Sequence, residues 1–588
     1  MKTMGDRSMF RKSAIVVSIA AVTAAVVIGV VTASPADRVG EKLQDVTLLA
    51  ADGKPVQLLD FHKEKVLVIA YTGVGCPIAE RYAPRLEKIA DKFGRKEVVF
   101  VGINANPNDT LERIVESAKA LEITFPILKD PEQALTRQLD ARTTTEAFVV
   151  DSDRVIRYRG MIDDQYAIGA QRKNPKNRYL EDAINDVLKG KSPLVTRTVA
   201  PGCLITRAAP ASVPTDLTFA SPIAGIVQNN CQRCHRDGHI APFPLLTYED
   251  VRGWSAMIYS VLTEGRMPPW NAHPRHAGLF ANERKMADAD RDAILKWIDA
   301  GMPQGDVAAA PPEREWPEGW TIGEPDAVFT MRSSFNVPVD GTVEYQHFRI
   351  PTTFKEDKWI TAMEAQAGAK EVVHHILVFI VPKDGEVDQQ RIGLDDGMLC
   401  ATVPGDTPSV YPEGYGKKLP AGATLVMQVH YTTSGKKMKD KSSIGMIFSK
   451  SPVAREVRTR GVYSFDLNIP PGAADHEVRA SYTFDKDCDV LSFFPHMHFR
   501  GKSWQFIAHY ADGRAETVLE VPRYDFNWQE SYILKSPMFI PKGTKIECIA
   551  HYDNSAANFA NPDPAAAVRW GEQTWEEMMI GYMDYVYR

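Results

Sequence analysis

The chain has 588 residues, with 69 Lys and Arg against 75 Asp and Glu and a net charge of -6. That length exceeds what one hydrophobic core organises and points to about four domains. The charge is small and evenly spread, and no basic run forms a phosphate-reading stripe, so nucleic acid is excluded as a partner.

At the N-terminus Lys2, Arg7, Arg11 and Lys12 precede an uncharged apolar run over residues 14–31. This is a positive n-region followed by a hydrophobic h-region, with VTASPAD as a weak cleavage site after Ala33. The run is also just long enough to span a bilayer. Residues 1–33 therefore read as a signal peptide or an uncleaved anchor, and either predicts a periplasmic or otherwise extracytoplasmic protein. Two Pro- and Ala-rich stretches, Ala208 to Asp216 and Asp306 to Trp320, then act as linkers.

Residues 34–207 alternate strand and helix. KVLVIAY reads as a buried strand, PIAERYAPRLEKIADKFG as an amphipathic helix, and EVVFVGINAN, TLERIVESAKALEI, FPILKD and EAFVVDSD continue an α/β pattern. Cys76 falls between the first strand and its helix, where the helix dipole favours a thiolate. The layout resembles the thioredoxin-like redoxin family. CxxC exchange is excluded, because the motif here is Cys76-Pro77-Ile78-Ala79, and Thr145 stands where the family has a cis-proline. A remote partner, Cys203 in PGCLITR, leaves three readings open: a redox pair, a static disulfide or idle thiols.

Residues 208–310 contain CQRCH, Cys231 to His235. CxxCH is the attachment signature of c-type haem: Cys231 and Cys234 bond the vinyl groups and His235 ligates the iron. No second CxxC exists to complete a zinc site. The segment resembles a small all-α cytochrome c domain, with ADRDAILKWIDAGMP as its closing helix. Met267 of GRMPPW is the expected sixth ligand, ahead of Met286, Met302, His239 and His273. A His–Met pair raises the potential and suits electron transfer.

The remainder is strand-rich, with turns at short intervals, and predicts antiparallel sandwiches over 311–455 and 456–588. It carries EVVHHILVF with His374 and His375, QVHY with Gln428 and His430, PHMHFRGK with His496 and His498, and EEMMIGYMDY with Met578 and Tyr582. Side chains two apart on a strand share a face, so His496 and His498 are placed to share an ion. His374 and His375 are adjacent, and joint ligation there requires a bulge or a strand end. Together the motifs resemble the copper type II, ascorbate-dependent monooxygenases, the peptidylglycine α-hydroxylating and dopamine β-monooxygenase family.

That resemblance implies two jelly-roll-type sandwiches holding two coppers. His374, His375 and His430 would hold an electron-transfer copper. His496, His498 and Met578 would hold the copper at which O2 and substrate react, with Gln428 and Tyr582 near the cleft. A thioether beside two imidazoles selects Cu(I) over zinc. Met579 and Met583 are rivals to Met578, separated only by alignment to the terminal motif. The Arg and Asn with which the peptide-amidating relative holds a carboxylate are replaced by Phe494 and Ile580, which implies a less polar small-molecule substrate. Of Cys400, Cys488 and Cys548, the resemblance implies a Cys488–Cys548 disulfide. The whole reads as a multidomain, exported, copper-dependent monooxygenase with two coppers and one haem c, fed by an external electron donor. The competing reading is a non-catalytic copper-binding electron carrier.

Overall fold

The computed structural model describes residues 37–94, 97–207, 214–385, 392–395 and 397–588. The apolar run over 14–31, and with it the signal-or-anchor expectation, lies outside the described residues. Among the described residues no helix is long and apolar enough to cross a membrane.

The first domain is thioredoxin-like. Its central strand, Val66–Thr72, is apolar throughout because both faces are covered. It runs parallel to Val98–Asn104 and antiparallel to Ala147–Val150 in a mixed sheet whose order places 55–57 and 156–160 at the edges. Helix Pro77–Gly94 starts at the residue after Cys76, where its proline costs no intrahelical hydrogen bond, and buries Ile78, Tyr82, Leu86, Ile89 and Phe93. Thr110 caps the next helix, Leu111–Ala120, by accepting from the Arg113 amide.

A helical segment follows, with helices Ile223–Asn230, Tyr248–Gly253, Ser255–Thr263 and Asp288–Asp299. It does not close on itself. Ile223, Val227, Trp254 and Trp297 share one apolar cluster with Val68, Tyr82 and Cys76 of the first domain. Its loop over 270–282 is carried by the last domain instead: Trp270 and Phe280 pack on Tyr532, and the Ala281 amide donates to the Ile533 carbonyl at 2.7 Å.

The C-terminal half is β-rich. Strands Val373–Val381 and Thr424–Tyr431 pair antiparallel at the centre of a four-stranded sheet. The opposing sheet is shared, since Tyr415–Leu419 of the first sandwich pairs parallel with Arg455–Tyr463 of the second. Through that pair one nine-stranded sheet continues into Ile580–Tyr587, Cys488–His496 and Tyr532–Ile540. One correction follows for the cysteines. Cys488 and Cys548 are free thiols on different sheets in the core of the second sandwich, and no disulfide joins them.

Candidate metal and redox centres

The ladder between Val373–Val381 and Thr424–Tyr431 shifts register between Val373 and His375, so the required bulge is present. It turns two adjacent imidazoles to one side, with His374 Nδ1 3.0 Å from His375 Nδ1. His375 lies opposite His430 in the register, and the three residues offer ligand nitrogens within 4.8 Å of one another. His375 Nε2, His374 Nε2 and His430 Nδ1 are buried without a hydrogen-bond partner. Burial drives all three rings towards neutrality, His374 down to about 4 and His375 and His430 well below their ordinary value. Neutral, converging, unpartnered imidazoles are what a metal ion needs. The donor set fits a copper.

The second group lies where strand Cys488–His496 ends. His498 is beyond the strand, in the turn, so the two rings meet at 5.3 Å and 89° rather than as strand neighbours. Their outer nitrogens are fixed. Gln529 Nε2 donates to the Phe526 carbonyl at 3.2 Å, which leaves Gln529 Oε1 to accept from His496 Nδ1 at 2.6 Å. The Glu576 carbonyl accepts from His498 Nδ1 at 3.3 Å. Both histidines therefore present Nε2 inward, and His498 Nε2 is buried and unpartnered. Burial lowers His496 to about 4 and His498 well below the ordinary value.

Strand Ile580–Tyr587 lies beside this group, with His496 opposite Ile580. Met579 and Met583 point into the core of the second sandwich. Met578, two residues before the strand, packs with Phe494, Ile580 and Tyr582. Glu577 ties this stretch to the histidine turn: its carboxylate accepts from the His498 amide at 2.8 Å and the Arg500 amide at 2.6 Å. Tyr582 stacks on Phe494 at 5.9 Å, and burial raises its phenol above the ordinary range. Gln428 sits on the His430 strand with its amide 2.9 Å from His347 Nε2.

The two histidine groups share two aromatic rings. Phe526 stacks on His374 at 5.1 Å and 11° and lies 6.1 Å from His498. Tyr345 lies 4.9 Å from His430 and 6.2 Å from His498. Sequence reasoning missed Tyr345, Phe526, Gln529, Glu577 and His347. Only Glu577 carried a signal, its place beside Met578 in the terminal motif.

In the helical segment His235 Nδ1 donates to the Phe243 carbonyl at 3.1 Å, which leaves Nε2 free for a metal. Cys231 and Cys234 flank it in one turn, with the His235 amide on the Cys231 carbonyl at 3.0 Å. These residues fit covalent haem. Near Met267, Arg523 Nη2 donates to the Gly265 carbonyl at 2.6 Å and Trp270 packs on Tyr532. His273 caps the short turn 274–276 against the second sandwich. Met286 and Met302 are buried in the shared apolar cluster, and the His239 ring keeps a buried, unpartnered Nδ1.

Cys76 and Cys203 are brought together. The Cys203 amide donates to Cys76 Sγ at 3.4 Å and Thr144 Oγ1 does so at 2.9 Å. Burial would raise the Cys76 thiol, but hydrogen bonds from Cys203, Thr144 and the Ala79 amide outweigh it and bring it down to about 7. Cys203 moves the opposite way, raised by its hydrogen bond to Cys76 and by burial. Thr145 fills the cis-proline position, its hydroxyl donating to the Pro201 carbonyl next to that pair.

Residues 38–167 match the Redoxin family model. A Homo sapiens protein named as a DBH-like monooxygenase is 23% identical over 222 residues, 32% of this chain and 44% of that protein. The chain thus spans less than half the length of that relative. A Mycobacterium tuberculosis protein named as a peroxiredoxin is 26% identical over 137 residues, 23% of this chain and 85% of that protein. Among solved structures, a hypothetical protein from Sinorhizobium meliloti is 31% identical, with TM-score 0.26 over 28% of this chain and 93% of its own. A disulfide isomerase-type protein from Bacteroides thetaiotaomicron is 23% identical, with TM-score 0.22 over 26% and 91%. The matches place a Redoxin-family segment at residues 38–167, in a chain whose C-terminal half is β-rich.

Proposed function

We propose that the protein is an exported copper-dependent monooxygenase that hydroxylates a C–H bond of a small organic substrate with O2, drawing electrons through its own haem c. The observation that carries the reading is the convergence of His374, His375 and His430, whose ligand nitrogens lie within 4.8 Å of one another, with His496 and His498 as a second buried pair 5.3 Å apart. A likeness over 222 residues to a protein named as a DBH-like monooxygenase supports it.

Two coppers, when bound, would supply the two electrons and the dioxygen activation that insertion of one oxygen atom requires. His374, His375 and His430 would hold one and His496, His498 and Met578 the other. Gln529 and the Glu576 carbonyl keep both second-site histidines in the tautomer that binds through Nε2. Glu577 fixes the histidine turn to the methionine strand. Phe526 and Tyr345 close the space between the groups and exclude water. Beside Met578, the apolar surface of Phe494, Ile580 and Tyr582 and the mutually packed rings of Tyr463, Phe465 and Trp570 suit an uncharged substrate. A carboxylate would find no fork of donors at Phe494 or Ile580. A haem on Cys231, Cys234 and His235 would supply one-electron transfer from an external donor.

Metal analysis should return two coppers and one haem per chain. Met578→Ile should abolish oxygen consumption while copper at the first site is retained. No oxygen consumption by the intact protein with any reductant and a substrate panel favours the electron-carrier reading, whereas full consumption by Met578→Ile removes Met578 from the reacting site.

A further inference from the structure

The Cys76–Cys203 pair is sealed. Cys76 is fully buried and Cys203 is 6% exposed. The helical segment lies over the turn that carries the pair: from the position a Gly75 β-carbon would occupy, the Pro242 carbonyl is 3.3 Å away, Phe243 Cβ 3.5 Å and Trp254 3.8 Å. A dithiol that served other proteins would need an open sulfur, so a redox partner of this pair would have to lie inside the chain.

The docking of the same turn shows where that partner lies. Glu80 Oε1 accepts from the Gly75 amide at 3.2 Å, and Glu80 Oε2 pairs with Lys436 at 2.9 Å. Lys436 in turn reaches Glu371 at 3.7 Å, three residues before His374. Arg81 Nε donates to the Thr433 carbonyl at 2.9 Å, three residues after His430. Gly435 abuts the Glu80 carbonyl so closely that no side chain would fit. Further out, Lys437 pairs with Glu122 and Lys88 with Asp340, each at 2.7 Å. The first turn of the Cys76 helix is thus clamped to the segment 433–436 that follows the His430 strand, and Lys436 links it to Glu371, just before the His374 strand.

On this geometry, and resting on the copper reading above, we infer that the Cys76–Cys203 dithiol is an internal two-electron reductant for the copper pair. The two thiols close a disulfide and release two protons to water and two electrons. One electron reduces each Cu(II) to Cu(I), by way of the His374/His375/His430 site. A dithiol stores the number of electrons that two one-electron centres must receive before O2 is used.

The test uses the full-length protein, reduced, freed of reductant and given two equivalents of Cu(II) without oxygen. The expected result is loss of two thiols, a Cys76–Cys203 linkage in the peptide map, and disappearance of the Cu(II) paramagnetic signal while haem absorbance holds constant. Cys203→Ser should bind the same copper and keep the signal. His430→Ala should keep both thiols, which separates transfer at the site from oxidation by stray copper. A wild-type chain that holds two coppers, both thiols and its Cu(II) signal overturns this assignment alone. A chain that takes up no copper overturns the monooxygenase reading and this one with it.

Discussion

Cys76 and Thr144 form the plainest titrating unit in the molecule. A thiol held near 7 is depressed relative to the ordinary value, so its contribution to stability is present above that value and is lost as pH falls through about 7. Following thiolate absorbance as the difference between wild type and Cys76→Ser should give a midpoint near 7. Thr144→Val removes the 2.9 Å donor and should move that midpoint upward. An unmoved midpoint would assign the depression to Cys203 and the backbone alone. Adjacency also becomes legible at single residues: His374 and His375 announced a bulge, because two neighbours cannot otherwise share a face, and the register shift stands where it was required. His498 departs from the strand expectation because Glu577 takes up the His498 and Arg500 amides that a strand neighbour would have used.

The segment Tyr524–Glu530 shows what an irregular element can organise. It has no periodicity and no histidine, cysteine or methionine, yet Tyr524 exchanges hydrogen bonds with both backbone groups of Met497. Phe526 stacks on His374, and Gln529 orients His496. Gln529→Leu should weaken copper binding at the second site by about 10- to 100-fold and leave the first unchanged. Phe526→Ala should lower stability by about 3 kcal/mol and weaken both sites. Copper titrations with spectra resolving the two sites, together with denaturant unfolding, distinguish the variants. Equal loss at both sites from Gln529→Leu would contradict the tautomer argument.

Across the molecule, regions that look like beads on a string are fused. The helical segment shares its core with the thioredoxin-like domain and lends a loop to the second sandwich, and the sandwiches share a sheet. Arg284 is a pin in this assembly. Its guanidinium meets the buried Glu530 carboxylate at 2.8 Å and also donates to the Gly405 carbonyl, beside Cys234. Glu530 directly follows Gln529, so the pin joins the Cys231–His235 turn to the second histidine group. Breaking such a pair leaves a buried charge, so Arg284→Met should cost about 3 kcal/mol. Proteolysis should then open first over residues 270–282. Unchanged stability and an unchanged digest would show that the segment is held elsewhere.

Much of this was readable from the chain. The helix over 77–94, the strands around it, CxxCH and the histidine motifs follow from period, local spacing and donor chemistry, which depend on near neighbours. Met578 parts from Met579 and Met583 only once the strand is placed. Other features arise from contacts between residues far apart in the chain, which leave no local pattern. They include the meeting of Cys76 with Cys203, the rings of Tyr345 and Phe526 between two histidine groups, and the clamp of the Cys76 helix on the segment after the His430 strand. The unbridged Cys488 and Cys548 belong with them. Which surfaces meet is set by the packing of whole sheets and helices, and the fold alone supplies it.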